Sequence, residues 1–303
     1  MTFKNILVAL DGSSSSQLAA DYGFWLATNL GASLSAQHVV DPRLVDLFVE
    51  PEFGEELGFG YSVDTSEKIF NALRKIGAVI LNLFATEAAG RGLKTTTFLD
   101  EGYVAEEIVK YGDQFDLLVI GHRGKGKRPL PARMMLGSMA ERVAINAGVP
   151  VLIARQPVDR IKQILVAYDG SEPARGALLM AEDLAKNTGA RLKAVTIVNS
   201  DQNKAEAKFL VEEGERFLRG YSEKDVFSIE EGAITNTLLG YADDTNSLLV
   251  LGAYGFKDAD CNVLGSTTTA VIRQAKSSVL IFRPKHVHKK AKTRELLKEV
   301  ARS

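Results

Sequence analysis

Apolar residues along the chain fall into short dense runs that alternate with longer stretches in which they recur every three or four positions. Residues 6–10 form the first run and 15–30 the first amphipathic stretch. A second run, 34–40, is followed by a long helical segment at 66–91, then by 94–99 and a helix at 104–111. The sequence continues with the run 117–120, a glycine-rich loop, a helix at 138–146 and a last run at 150–154. Dense runs of β-branched and aliphatic residues predict buried strands, and the 3.6-residue period predicts helices with one buried face. Strands that alternate with helices require right-handed crossovers and a parallel sheet covered on both faces.

The pattern is then written a second time. Residues 4–40 (KNILVALDGSSSSQLAADYGFWLATNLGASLSAQHVV) align without a gap to residues 162–198 (KQILVAYDGSEPARGALLMAEDLAKNTGARLKAVTIV), with close to half the positions identical. Such a repeat makes one domain in two copies. The expected fold is therefore α/β, with two tandem doubly wound domains, each a five-stranded parallel sheet with helices on both faces. Copy 1 is expected over 1–156 and copy 2 over 161–283. The short linker predicts that the copies pack as a pseudo-symmetric pair, the intramolecular counterpart of a twofold dimer.

Two segments lie outside the repeat. Residues 42–64 form an insert in copy 1 that mixes apolar residues, among them Leu44, Phe48, Phe53 and Tyr61, with acids and with Gly54, Gly58 and Gly60, and a loop of that length is expected to be functional. Residues 284–303 form a basic extension, with Lys285, Lys289, Lys290, Lys292, Arg294, Lys298 and Arg302 against Glu295 and Glu299.

Composition narrows the classes. The chain has 303 residues, 46% hydrophobic and 25% charged, and a formal net charge of −1. That balance gives no global electrostatic footprint for nucleic acid or an anionic membrane, so neither is expected as a partner. The single cysteine, Cys261, cannot form an internal disulfide, and no secretory leader or long uninterrupted apolar run is read. A cytoplasmic location without membrane insertion is the expectation.

Candidate chemistry gathers where a doubly wound sheet binds ligands, at the carboxyl ends of its strands. Asp11 and Asp169 end the first strand of each copy. After the fourth strand come Gly121 and Gly124 in copy 1, and Gly252 and Gly255 in copy 2. Gly137-Ser138 and Gly265-Ser266 then open a helix whose free amides and positive dipole end can hold an anion. The glycines are expected to let backbone approach a ligand, and the carboxylates to accept ribose hydroxyls, with a magnesium partner as a second reading. A nucleotide fits this set better than free phosphate.

The frame ILVAYDGS, the spacing Gly252-x2-Gly255-x9-Gly265-Ser266 before a helix and the final VLIF strand resemble the nucleotide-binding branch of the universal stress protein family, over nearly the whole chain and twice. The resemblance implies ATP, with or without magnesium. In copy 2 it places Asp169 facing the adenosine, Ala167 beneath it, and Ile197 offering backbone hydrogen bonds to adenine. Gly252, Gly255, Gly265, Ser266 and Thr267 would hold ribose and phosphates. The matching positions in copy 1 are Ala9, Asp11, Val39, Gly121, Gly124, Gly137, Ser138 and Met139. Copy 1 departs from the pattern, because twelve residues rather than nine separate Gly124 from Gly137. Its loop carries His122, Arg123, Lys125, Lys127, Arg128 and Arg133, whereas copy 2 has Lys257 beside Asp258 and Asp260. Spacing favours copy 2 and charge favours copy 1.

Other motifs read as structural. Gly121-x4-Gly126-Lys127 imitates a phosphate-binding loop, but Arg128 stands where a magnesium-binding Ser or Thr is needed, and Pro129 and Pro131 obstruct the helix. The serines after Asp11 read as a turn and helix cap. Ser138-x-x-Glu141 reads as a capping box. His38, His122, His286 and His288 lack metal-ligand spacing. No residue set supplies a base for an attacking water, so efficient hydrolysis is not expected. The expectation is a nucleotide-dependent regulatory module with a protein partner, possible self-association being left open. A nucleotide-independent scaffold that binds a client through the insert is the rival, and a nucleotide hydrolase the third reading.

Overall fold

The computed structural model describes residues 3–45, 63–123, 138–198, 204–218, 221, 225–243, 246–254 and 264–284. In copy 1 the elements are β1 (Asn5–Ala9), α1 (Ser14–Leu30), β2 (Ser33–Val40), α2 (Val63–Gly90), β3 (Thr95–Glu101), α3 (Val104–Gly112), β4 (Leu117–Gly121), α4 (Ser138–Asn146) and β5 (Val151–Ala154). A 3-10 turn at Val158–Arg160 leads into copy 2. There follow β6 (Gln163–Ala167), α5 (Glu172–Thr188), β7 (Arg191–Val198), α6 (Lys204–Phe217), β8 (Phe227–Glu231), α7 (Ile234–Ala242), β9 (Ser247–Gly252), α8 (Ser266–Gln274) and β10 (Val279–Phe282). These match the expected order, with α6 half the length of α2.

Each copy forms a parallel five-stranded unit, and the two join edge to edge in one ten-stranded sheet of order β3-β2-β1-β4-β5-β10-β9-β6-β7-β8. β5 and β10 pair antiparallel, Leu152 opposite Leu280, and the other strand pairs are parallel. Because the seam is antiparallel, the carboxyl ends of the strands in copy 1 point to one edge of the sheet and those in copy 2 to the other. The two candidate clefts therefore open in opposite directions.

The central strands are buried on both faces, which is why β4 reads Leu-Leu-Val-Ile without alternation. One face packs α1, α2, α5 and α6 through residues such as Tyr22, Phe24, Phe84, Leu178 and Leu184. The other packs α3, α4, α7 and α8 through Ile108, Val143, Leu238 and Val271. Helices α1 and α5 begin on Ser13 and Ser171, whose hydroxyls accept from the amides of Ser16 and Ala174. Both end on a left-handed glycine, Gly31 and Gly189. The seam is pinned by a reciprocal pair of arginines. Arg155, just past β5, donates to the carbonyl of Ile272 in the last turn of α8. Arg283, just past β10 and 3% exposed, donates to the carbonyl of Ala144 in the last turn of α4. Each places a cation at the negative end of a helix of the other copy.

Helix α2 qualifies the expectation from apolar runs, since its Ser66–Gly90 stretch is long and apolar enough, by length and composition, to cross a membrane. In the fold it lies on the sheet instead. Gly77, Leu81, Phe84 and Ala88 face inward, and the helix packs over β2 and β3.

Candidate functional site

Each site begins with the turn after the first strand. Asp11 accepts a hydrogen bond from the amide of Ser13 at 2.9 Å, and Asp169 from that of Ser171 at 3.0 Å. Gly12 and Gly170 between them have φ of 72° and 77°, a conformation that glycine adopts without strain. One carboxylate oxygen of each aspartate is thus spent on the turn. Asp169 is exposed and Asp11 half-buried. The second strand is tied in beside this turn. The Thr196 hydroxyl donates to the carbonyl of Tyr168 at 3.0 Å, and at the matching position in copy 1 His38 Nδ1 lies 2.8 Å from the carbonyl of Leu10. That contact gives His38 a structural task, and a Cβ on Gly77 of α2 would meet its ring at 2.5 Å. Ala9 and Val39 are buried in copy 1 and Ala167 and Ile197 partly buried in copy 2, all against the face that carries α4 and α8.

At the fourth strands the structure adds a packing reason for two glycines. A Cβ on Gly121 would stand 2.5 Å from the carbonyl oxygen of Ser15, and one on Gly252 would stand 2.8 Å from Cβ of Pro173 and 3.0 Å from the amide nitrogen of Ala174. These close approaches are made by the first turns of α1 and α5. Packing inside each copy is by itself sufficient reason for glycine at both positions.

In copy 2 the loop ends meet. The amide of Gly265 donates to the carbonyl of Ala253 at 2.9 Å, and the Thr268 hydroxyl donates to the carbonyl of Gly252 at 2.9 Å. Gly265 is the N-cap residue of α8, with φ −56° and ψ 150°, and has no side chain with which to cap the first turn. Any residue could adopt those angles, and Ser, Thr, Asp or Asn would cap better. Among the described residues, Gly265 thus gives the first-turn amides no side-chain cap, next to the exposed Ser266 and half-buried Thr267. Gly255 lies outside the described residues, as do Cys261, Lys257, Asp258 and Asp260.

Copy 1 is anchored differently. His122 occupies the place of Ala253, and its Nδ1 lies 3.3 Å from Oγ of Ser15 and 3.2 Å from the carbonyl of Ala154. Burial, with Arg155 adding to it, pulls its pKa down to about 4. His122 is therefore neutral at pH 7 and adds nothing to the positive charge expected of this loop. Burial also lowers Arg155, to about 10, which leaves it charged. Arg123 is exposed, and its carbonyl accepts from the Ser13 hydroxyl at 3.3 Å. Gly124, Lys125, Lys127, Arg128, Arg133 and Gly137 lie outside the described residues. Ser138 starts α4, and Met139 follows it, half-buried. The side chain of Ser138, the first half of the expected capping box with Glu141, lies outside the described residues. The Glu141 carboxylate reaches Arg273 of α8 across the seam at 2.5 Å.

Two features at these edges escaped the sequence reading. Gly102 and Gly232, after β3 and β8, have φ of 146° and 151°, and their amides donate to the carbonyls of Val40 and Val198. Each follows a glutamate at matching places in the copies, a repeat visible in the sequence. A cavity of about 440 Å³ also lies between α1 and α2, lined by Leu10, Ser13, Gln17, Ile80, Phe84 and Glu87 among others, on the face opposite Ala9 and Val39. Among the described residues, no group of three His, Cys, Asp or Glu is placed to hold a metal ion.

The doubled α/β unit defines a class, and comparison with known proteins gives the family. The sequence model of the universal stress protein family matches residues 2–155 and 160–283, so the chain belongs to that family. A universal stress protein of Synechocystis is 25% identical over 293 residues, which covers 92% of this chain and 100% of that protein. One from Mycobacterium bovis is 24% identical over 298 residues, covering 92% and 96%. Among solved structures, a universal stress protein from Archaeoglobus fulgidus superposes with a TM-score of 0.70 at 21% identity, over 92% of this chain and 98% of that one. The last likeness concerns the fold alone.

Proposed function

We propose that the chain binds ATP or a related adenine nucleotide at the carboxyl edges of its strands and uses the bound state to bias contact with a protein partner. Copy 2, taken as 161–283, is the stronger site. Gly252, Gly265, Ser266 and Thr267 would receive the phosphates, the free oxygen of Asp169 the ribose, and Ala167 and Ile197 the base. The start of α8 carries this reading. Its N-cap, Gly265, offers the amides no side-chain cap, and its backbone is clamped to the end of β9, an arrangement suited to a phosphate. In copy 1, taken as 1–156, Ala9, Asp11 and Val39 occupy the same places, and Gly121 and Ser138 flank the loop. Most of the 42–64 insert (46–62) and nearly all of the basic extension 284–303 (285–303) lie outside the described residues; in the rival reading, a nucleotide-independent scaffold, the insert would bind the client.

The experiment is calorimetric titration of the full chain with ATP, alone and with magnesium, alongside Gly265→Val. Valine fits the Gly265 dihedral angles, so the variant should fold and lose binding at one site. Wild-type affinity in that variant, once mutation of Asp169 has shown copy 2 to be occupied, would falsify the cradle. Mass spectrometry of any small molecule that accompanies the undenatured protein identifies the nucleotide.

A further inference from the structure

We infer that α2 is a docking surface for a second copy of this chain. Along its outward side Ala72, Ile76, Val79, Leu83 and Thr86 recur at intervals of four, three, four and three residues, the spacing of a heptad seam. Ile76, Val79 and Leu83 are 51%, 56% and 66% exposed, on a helix whose opposite side already packs on the sheet. Leu73 and Ile80 flank this stripe and are partly buried. The nucleotide reading is not needed for this inference.

The stripe is complementary to itself in one register. A twofold axis through Gly77 and Ala78, within about one residue of the middle of Val63–Gly90, pairs two antiparallel helices over almost their whole length. It sets Ile76 against the partner's Val79 and Ala72 against the partner's Leu83, so a small residue meets a large one and two branched ones meet at the centre. On one flank Leu73 lies by the partner's Ile80 and Glu87 by the partner's Ser66, and on the other Lys75 lies by the partner's Asn82. No like charges meet. A parallel pair would instead set Arg74 and Lys75 of both chains at the same level, which disfavours it.

Area sets the strength. At 1.5 Å per residue the overlap is ~40 Å long, and a strip about 10 Å wide covers ~400 Å² per chain, or ~800 Å² in all. Stable interfaces bury roughly 1,200–2,000 Å², so this one is a weak dimer populated at high concentration. The other occupant that the length and composition of α2 allow is a lipid surface.

Sedimentation velocity of the full chain from about 5 to 500 μM tests the assignment. The mass should rise from 32.9 kDa toward twice that value. Leu83→Glu, at an exposed position and with an unchanged melting temperature, should weaken association more than tenfold. Adding Ala72→Lys to Leu83→Glu should restore it at low salt, since each new lysine faces a new glutamate across the twofold. A wild-type chain that stays monomeric throughout overturns the inference, and so does a dimer indifferent to Leu83→Glu. Failure of the double variant to restore association overturns the antiparallel register. Monomer that floats with anionic vesicles, and ceases to with Leu83→Glu, assigns the stripe to lipid instead.

Discussion

The two halves of this chain share the turns, caps and seam contacts that hold the fold and differ at many of the residues around the cleft. Asp11 and Asp169, Gly12 and Gly170, Ser13 and Ser171, and the seam arginines Arg155 and Arg283 repeat the same contacts at matching places. The cleft groups do not repeat. His122 stands where copy 2 has Ala253, Met139 where it has Thr267, and Ser15 where it has Pro173. The lesson concerns tolerance. A backbone that must bend or approach closely accepts few residues, whereas an edge position has many solutions.

The largest effects should come from the shared scaffold. Gly121→Val forces a side chain into the backbone of Ser15, and Gly252→Val into that of Pro173 and Ala174. Each should cost about 3 kcal/mol or more, since backbone cannot move aside as a side-chain end can. Gly121 should be the worse, because its clash is shorter. Urea unfolding midpoints measure both. Loss of less than ~1 kcal/mol in either would mean that the helix start shifts, and would undo the packing account of these glycines.

Next come the seam arginines. Arg283→Met removes a charged donor from a buried site and leaves the carbonyl of Ala144 short of a partner, for ~2 kcal/mol. Arg155→Met should cost less, because Arg155 is half-buried where Arg283 is 3% exposed. Equal losses in thermal and urea unfolding would show that depth does not separate the pair.

A smaller effect belongs to copy 1 alone. The folded protein holds the pKa of His122 near 4, below the value of about 6.5 expected in the unfolded chain. Between those values the unfolded state binds more protons, so stability should fall as pH drops from about 6.5 to 4 and level off below. The imidazole is partly open to solvent, and screening reduces the loss to an order of 1 kcal/mol. His122→Ala should flatten that part of the profile. A slope that survives the substitution would place the titrating group elsewhere.

Much of this was legible beforehand. The repeat gave the element order, the parallel units and the aspartate turns, because strand runs and Asp-Gly-Ser turns are local signals. The ten-stranded sheet was not, since Val151–Ala154 and Val279–Phe282 are short and wholly apolar, and nothing in them says that β5 pairs with β10 or in which direction. An arginine after each final strand was the available hint. The glycines after β4 and β9 were legible as close approaches, but what approaches them depends on tertiary packing. His122 looked like a charge because sequence carries no measure of burial.

The smallest expected difference is the sharpest test of equivalence. Ser13 and Ser171 each cap a 17-residue helix by accepting from the amide three residues on, at 3.1 and 3.3 Å. Serine to alanine at such a cap costs about 1 kcal/mol. Ser13 also donates its hydroxyl hydrogen to the carbonyl of Arg123 at 3.3 Å, a contact open to solvent. An exposed neutral hydrogen bond of that length adds a few tenths of a kcal/mol at most, because water replaces it when it is lost. Ser13→Ala should therefore exceed Ser171→Ala by that small margin, and a local readout should separate them further. Hydrogen exchange should quicken at the amide of Ser16 in one variant and at that of Ala174 in the other, while residues next to Arg123 loosen in Ser13→Ala and residues next to Ala253 stay protected in Ser171→Ala. Identical exchange beside Arg123 and Ala253 would mean that the cap in copy 1 has no hold on its loop, and that the two first turns are equivalent after all.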